Sequence, residues 1–218
     1  MEIFGKPLPA LASQIVLGLV NGSFYAILSL GLAVIFGTLN IVNFAHGAFY
    51  MLGAFGAFFA LTALGVNYWW ALLLVPLGVG VIGVLVERGL LRWLKGLDPL
   101  YGLLLTFGLS LILEGVLRDV YGSSGRSYPR PPALNGVWNL GFMVLPVSRA
   151  WVIGVSLVVC FATWFIIERT KLGATLRAAT ENPSLAQAFG LNVPLLVTLT
   201  FGFGVALAGL AGVLAASA

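Results

Sequence analysis

Apolar residues run along this chain in six long blocks, each close to the roughly 20 residues a helix needs to cross the hydrocarbon of a bilayer. The blocks predict membrane helices over residues 12–36, 44–64, 68–86, 100–117, 150–167 and 195–217. Residues 7–11 prolong the first block and are expected at the membrane interface, as are Tyr68, Trp69 and Trp70 at the head of the third. Two blocks carry small residues four apart on one face: Gly18, Gly22 and Ala26 in the first, and Gly204, Ala208, Gly212 and Ala216 in the last. Such ridges let a second helix approach closely.

One stretch breaks the pattern. Residues 169–192, RTKLGATLRAATENPSLAQAFGLN, form helices but do not belong in lipid. Residues 172–180 predict one helical piece, in which Arg177 stands four residues before Glu181. Asn182 and Pro183 then read as an N-cap and a first-turn proline, residues 184–189 as about two helical turns, and Gly190 as the left-handed residue that stops them. A helix, a capped turn and a shorter helix, hung between two spans, suit the docking of something soluble.

Charge orients the blocks. No Asp, Glu, Lys or Arg occurs in residues 7–86, while residues 87–98 hold Arg88, Arg92 and Lys95, which marks that connection as cytoplasmic. Residues 118–149, rich in Gly, Ser and Pro, read as the main external loop without regular structure. Six full crossings place the N-terminus outside and residues 169–192 inside, with six Lys or Arg on inner connections and five on outer ones. A block that dips in and returns over residues 40–64 would move only the N-terminus. Across 218 residues, 60% are apolar and 8% charged, which excludes a water-facing globular domain. The basic residues flank spans and lack interleaved aromatics, so no nucleic acid is expected as a partner. Cys160 lies mid-span, where no internal disulfide can form, and reads as a small apolar core residue.

Candidate chemistry is sparse. None of the three lysines sits in a phosphate-binding G-x-x-x-x-G-K-[ST] loop, and one histidine with one cysteine makes no ordinary zinc site. Ser110 and His46 are the one conceivable nucleophile and base pair, without the second glycine of a nucleophile elbow. Catalytic and metal-binding residues are therefore expected to be absent. Asn21 and Ser23 interrupt the first span, and Asn40, Asn43 and His46 crowd the start of the second. Amides and hydroxyls in hydrocarbon need partners. These five either hold the bundle together or line a solute path, with the helices able to break beside Gly22 and Gly47. Glu114 in the fourth span is expected to pair with Arg118, one turn on.

NGSFYAILSLGLAVIFGTLNIVNFAHGAFYMLGAF, LTFGLSLIL and RAATENPSLAQAFGLNV together resemble the LivH-type permease subunits of branched-chain amino acid ABC importers. The resemblance runs over about residues 13–216. It implies an all-α polytopic bundle of the type II ABC importer kind, with residues 1–218 as one permease domain and residues 169–192 as its cytoplasmic coupling loop. Arg177, Ala178, Asn182, Ala186, Gly190 and Asn192 match the family's coupling pattern. The implied partners are a second permease subunit, ATPase subunits that alone hold ATP and magnesium, a periplasmic solute-binding protein and the bilayer. The implied location is the bacterial inner membrane. This chain itself is expected to bind no cofactor. Family members typically continue for about two more spans past Ala218, so either a shortened product or an incomplete stretch of a longer chain is expected, and Glu114 stands where a neutral polar residue is usual. An ion-coupled secondary transporter or channel is the alternative, against which the charge-free residues 7–86 weigh. A membrane enzyme would need acid and base pairs that are missing.

Overall fold

The computed structural model describes the chain except residues 1, 4–5, 40–41, 95, 123–127 and 218. Among the described residues, six helices are long and apolar enough to span a membrane: α1 (Leu8–Leu39), α2 (His46–Leu64), α3 (Tyr68–Gly89), α4 (Pro99–Tyr121), α5 (Val147–Arg169) and α8 (Val193–Ala216). Two short helices, α6 (Lys171–Glu181) and α7 (Pro183–Ala188), fill the connection between α5 and α8. The fold is therefore an all-α polytopic bundle.

The bundle is built around α8, which is flanked by α1, α2 and α3, with α5 outside α1 and α4 outside α2. Side-chain neighbours fix the directions. Along α1, Ile27 shares a cluster with Leu214, while Ile35 shares one with Phe201, so α1 and α8 are antiparallel. Phe49 sits with Phe201 and Ala57 with Val213, so α2 runs with α8. Tyr68 meets Ser217 and Glu87 meets Thr198, making α3 antiparallel. Phe44 lies over Phe107 and Phe55 stacks on Tyr121, which makes α4 parallel to α2. Consecutive spans thus alternate, and α2 traverses the bundle as one helix of about 28 Å at 1.5 Å per residue. Residues 42–45, 90–94, 96–98 and 170–192 share one end, and residues 65–67 and 128–146 share the other.

Glycine sets the close approaches. A Cβ on Gly53 would strike the backbone of Gly209, one on Gly212 the Tyr50 carbonyl, and one on Gly31 the Gly204 carbonyl. The ridge predicted on α8 is therefore packed, with Ala208 fully buried. At the outer end, the Trp151 indole donates to the Tyr68 hydroxyl (3.2 Å), which also meets Ser217 Oγ (3.1 Å), tying α5, α3 and α8 together.

Several expectations change. The Gly18 and Gly22 ridge meets nothing within 4 Å. Helix α1 runs through Gly22 without a break, while Gly47 lies in the first turn of α2, which begins at His46. Residues 8–11 belong to α1, with Pro9 tolerated in the first turn, where no backbone donor is needed. Ahead of α1, β1 (Glu2–Ile3) pairs antiparallel with β2 (Lys6–Pro7). The external connection is not wholly irregular. In it β3 (Val137–Asn139) pairs with β4 (Val144–Pro146), turned by Gly141 at φ +81°, whose N–H donates to Asn139 Oδ1 at 3.0 Å.

Candidate functional site

The end of the bundle that carries residues 170–192 holds the most specific local architecture in the chain. Helix α5 stops at Thr170, and α6 folds back so tightly that a Cβ on Gly173 would enter the Ile167 carbonyl. Arg177 closes this corner, donating Nη1 to Ile167 O at 2.7 Å and to Glu168 Oε2 at 3.2 Å. The expected neighbour one turn on, Glu181, is not its partner, because the reversed chain brings the last turn of α5 closer. Both ends of this ion pair are about half exposed, so it contributes at most about 1 kcal/mol and acts mainly to set direction.

Asn182 ends α6 and starts α7. Its Oδ1 accepts from Leu185 N (3.0 Å) and from Ser184 Oγ (2.8 Å), a cap of about 1 kcal/mol. Gly190 stops α7 at φ +84°, a region costly for any residue with a Cβ. Asn192 then caps α8, accepting from Leu195 N at 3.1 Å. The inner face of the pair is held by Ala179, Ala186 and Val193, with Leu196 and Val197 against them.

The six residues matched by the coupling pattern therefore divide. Arg177 and Ala178 are exposed; Asn182, Gly190 and Asn192 shape the backbone; Ala186 is buried and unavailable for contact. Beside exposed polar residues such as Lys171, Glu181 and Gln187, the unit presents three large apolar side chains: Leu172 is 61% exposed, Leu185 54% and Phe189 79%. Sequence reasoning missed these three, although Leu185 and Phe189 stand one turn apart beside the cap and stop that it did find. A cleft of about 760 Å³ separates α6 and α7 from the connection between α3 and α4, with Arg92, Asp98, Ala179, Gln187 and Pro194 on its walls.

The second group of predicted residues lies deeper. His46 Nε2 reaches the Leu28 carbonyl at 2.9 Å, beside Gly31 and Gly204, where α1, α2 and α8 converge. The Asn43 Oδ1 accepts from Ala45 N (3.1 Å), and Thr106 Oγ1 accepts from Phe44 N (3.2 Å), joining α4 to the same junction. Ser23 is buried and donates to Leu19 O at 2.7 Å. Asn43 Nδ2 and His46 Nδ1 are buried without a partner among the described residues. Asn21 is apart from all of these, on the exposed side of α1, and Asn40 lies outside the described residues.

Two acidic residues complete the picture. Glu87, at the boundary of the third block and the connection that follows it in sequence, is 1% exposed in the seam of α3 and α8, where the Thr198 hydroxyl is shared between its carboxylate and the Pro194 carbonyl. Glu114 pairs with Arg118 at 2.7 Å on the open side of α4, as its spacing predicts.

Residues 14–218 match the family model described as the permease component of the branched-chain amino acid transport system. The chain is 30% identical over 212 residues to the high-affinity branched-chain amino acid transport system permease protein BraD of Pseudomonas aeruginosa, covering 92% of this chain and 69% of that protein. It is 31% identical over 212 residues to the corresponding protein LivH of Escherichia coli (90% and 68%). A probable branched-chain amino acid transport permease protein LivH of Methanocaldococcus jannaschii is 28% identical over 206 residues (89% and 62%). No solved structure matches.

Proposed function

The chain belongs to the family of branched-chain amino acid transport permease components, and from that premise we propose that it serves, with a second permease subunit, two ATPase subunits and a periplasmic solute-binding protein, to import branched-chain or other small neutral amino acids across the bacterial inner membrane. The named relatives are transport components, so the chain is a multi-pass membrane subunit and not an enzyme. ATP and magnesium belong to the ATPase partners.

The observation that carries the coupling assignment is the α6–α7 unit. It is short, capped at Asn182, stopped at Gly190 and locked onto the end of α5 by Gly173 and Arg177, while Leu172, Leu185 and Phe189 face outward. A rigid piece presenting an apolar surface suits a partner cleft, because burying each such side chain on docking yields on the order of 1.5–3 kcal/mol before the cost of association. Closure of two ATPases on this surface would push directly on α5 and α8, the helices that the unit joins. The solute then moves without any covalent step.

The test is copurification with the ATPase subunits, together with ATP-driven uptake in proteoliposomes. Phe189→Asp and Leu185→Asp are expected to abolish association while the purified chain stays folded. Retention of both association and uptake would overturn the docking assignment. Ala186→Arg is unsuitable for this purpose, since it places a charge inside the α6–α7 contact. Uptake without any ATPase would favour the ion-coupled alternative.

A further inference from the structure

The cleft of about 760 Å³ beside the α6–α7 unit has two walls of different origin. One is the connection between α3 and α4, a 3-10 turn over Leu91–Leu94 followed by the start of α4, from which Leu94, Leu97 and Leu103 line the space. The other is the end of α6 with the starts of α7 and α8, which contribute Pro183, Val193 and Val197. Both walls are mainly apolar, and the volume lies within the roughly 300–1,000 Å³ of ligand pockets.

Among these apolar groups stand two opposite charges and an amide. Arg92 and Asp98 both line the cleft, yet among the described residues neither has an ion pair, with the other or with a third group. Asp98 Oδ1 accepts from Leu100 N at 2.9 Å and so caps α4, which leaves the second carboxylate oxygen and the charge unspent. Gln187 of α7, on the facing wall, has no hydrogen-bond partner for its amide among the described residues. Exposed charges are ordinary where helices meet water and cost little there. Here, however, two opposite signs share one apolar cleft without pairing, whereas Arg177 in the neighbouring corner has taken Glu168.

This set of groups complements one kind of small molecule. The Arg92 fork suits a carboxylate, Asp98 suits an ammonium, and the leucine, valine and proline walls suit an aliphatic side chain. A plain anion, a phosphate headgroup included, meets Asp98 as a like charge, and a plain cation meets Arg92. Resting on the permease reading, we infer that the cleft is a regulatory site for a free zwitterionic amino acid with an aliphatic side chain, bound from the side on which the imported solute is released. Arg92 and Asp98 belong to the α3–α4 connection, while Pro183 and Gln187 belong to α7. A ligand held by all four ties the coupling unit to the bundle. That unit has to move when the ATPases close, so occupancy slows the cycle, and accumulated product restrains its own import.

The experiment uses the assembled transporter in proteoliposomes, with ATP inside, the solute-binding protein outside, and L-leucine either present in or absent from the lumen. Lumenal leucine is expected to lower ATP hydrolysis and initial uptake at least about fivefold in the parent complex. In Arg92→Gln and in Asp98→Asn, which keeps an acceptor for the α4 cap, each judged against its own rate with an empty lumen, the inhibition is expected to disappear. A second measurement needs no variant: in the purified complex without the solute-binding protein, leucinamide and 4-methylpentanoate, each lacking one of the two charges, should bind at least about tenfold more weakly than L-leucine. Normal uptake that lumenal leucine does not slow, inhibition unchanged in both variants, or a cleft that native mass spectrometry finds filled by phospholipid and closed to leucine overturns the inference and leaves the importer reading intact. Absence of ATP-driven uptake in the parent complex fails the importer reading instead, and the binding measurement then decides the amino acid site by itself.

Discussion

Helices α1 and α8 carry the same signal in sequence, small residues four apart, yet the structure uses them in opposite ways. In α8, 56% of the most apolar window is buried, against 33% in α1 and 11% in α4, which makes α8 the axis on which the other spans lean. Gly204 and Gly212 admit the backbones of α1 and α2, and Gly209 admits both α2 and the Val79 side chain of α3. Gly18 and Gly22 admit nothing from this chain. A small-residue ridge therefore marks where something can come close. Whether that is the chain's own core or another molecule depends on which face the remaining residues bury.

The contrast breaks most sharply with Gly212→Leu, which drives a side chain into the Tyr50 carbonyl and Ala54. Overpacking of this kind costs about 1–3 kcal/mol where neighbours can yield and more where the obstacle is backbone, as here. We expect the variant to be lost from the monodisperse fraction in detergent, while Gly22→Leu remains folded and loses transport or assembly instead. Equal folding of the two variants would refute the division between packed and open ridges.

A smaller effect is expected in the seam of α3 and α8. Thr198→Val removes the hydroxyl that serves the buried Glu87 carboxylate, and the unsatisfied acceptor should cost about 1–3 kcal/mol, read as a lower midpoint of thermal unfolding. Glu87→Gln in the same background should recover part of that loss, because a neutral amide is cheaper to leave with fewer donors.

Milder still is Asn182→Ala. Loss of one cap costs about 1 kcal/mol, enough to fray α7 but not the bundle. The expected readout is weakened ATPase association with unchanged thermal stability. The smallest effect belongs to Glu114→Gln, which breaks an exposed pair one turn apart with side chains 64% and 49% accessible. Such pairs give about 0.3–0.5 kcal/mol, so stability should hardly move. A large loss would mean that the open side of α4 is covered by a partner.

Much of the fold was legible. The six spans lie within a few residues of their predicted bounds, because apolar length alone decides which segments can cross. Asn182, Pro183 and Gly190 were equally readable, since capping and left-handed turns depend on the residue and its immediate neighbours. Other features were hidden. The pairing of Arg177 with Glu168 needed the fold-back at Gly173, and the inward turn of Ala186 needed Val193 behind it. The hairpin of β3 and β4 had only Gly141 and two short apolar flanks to announce it, too little to outweigh the prolines before it.

By itself, then, the sequence determined that this protein lives in a membrane, where its apolar blocks lie, and where the helix pair between the last two of them begins and ends. These are local matters of hydropathy and hydrogen-bond capping. Tertiary structure alone decided that α8 is the axis, that Glu87 is buried, that Leu185 and Phe189 are presented while Ala186 is not, and that Gln14 and Asn21 look outward. Each of those depends on which helix lies beside which, and hydropathy in a span is nearly the same on every side, so it leaves the choice of neighbours to packing.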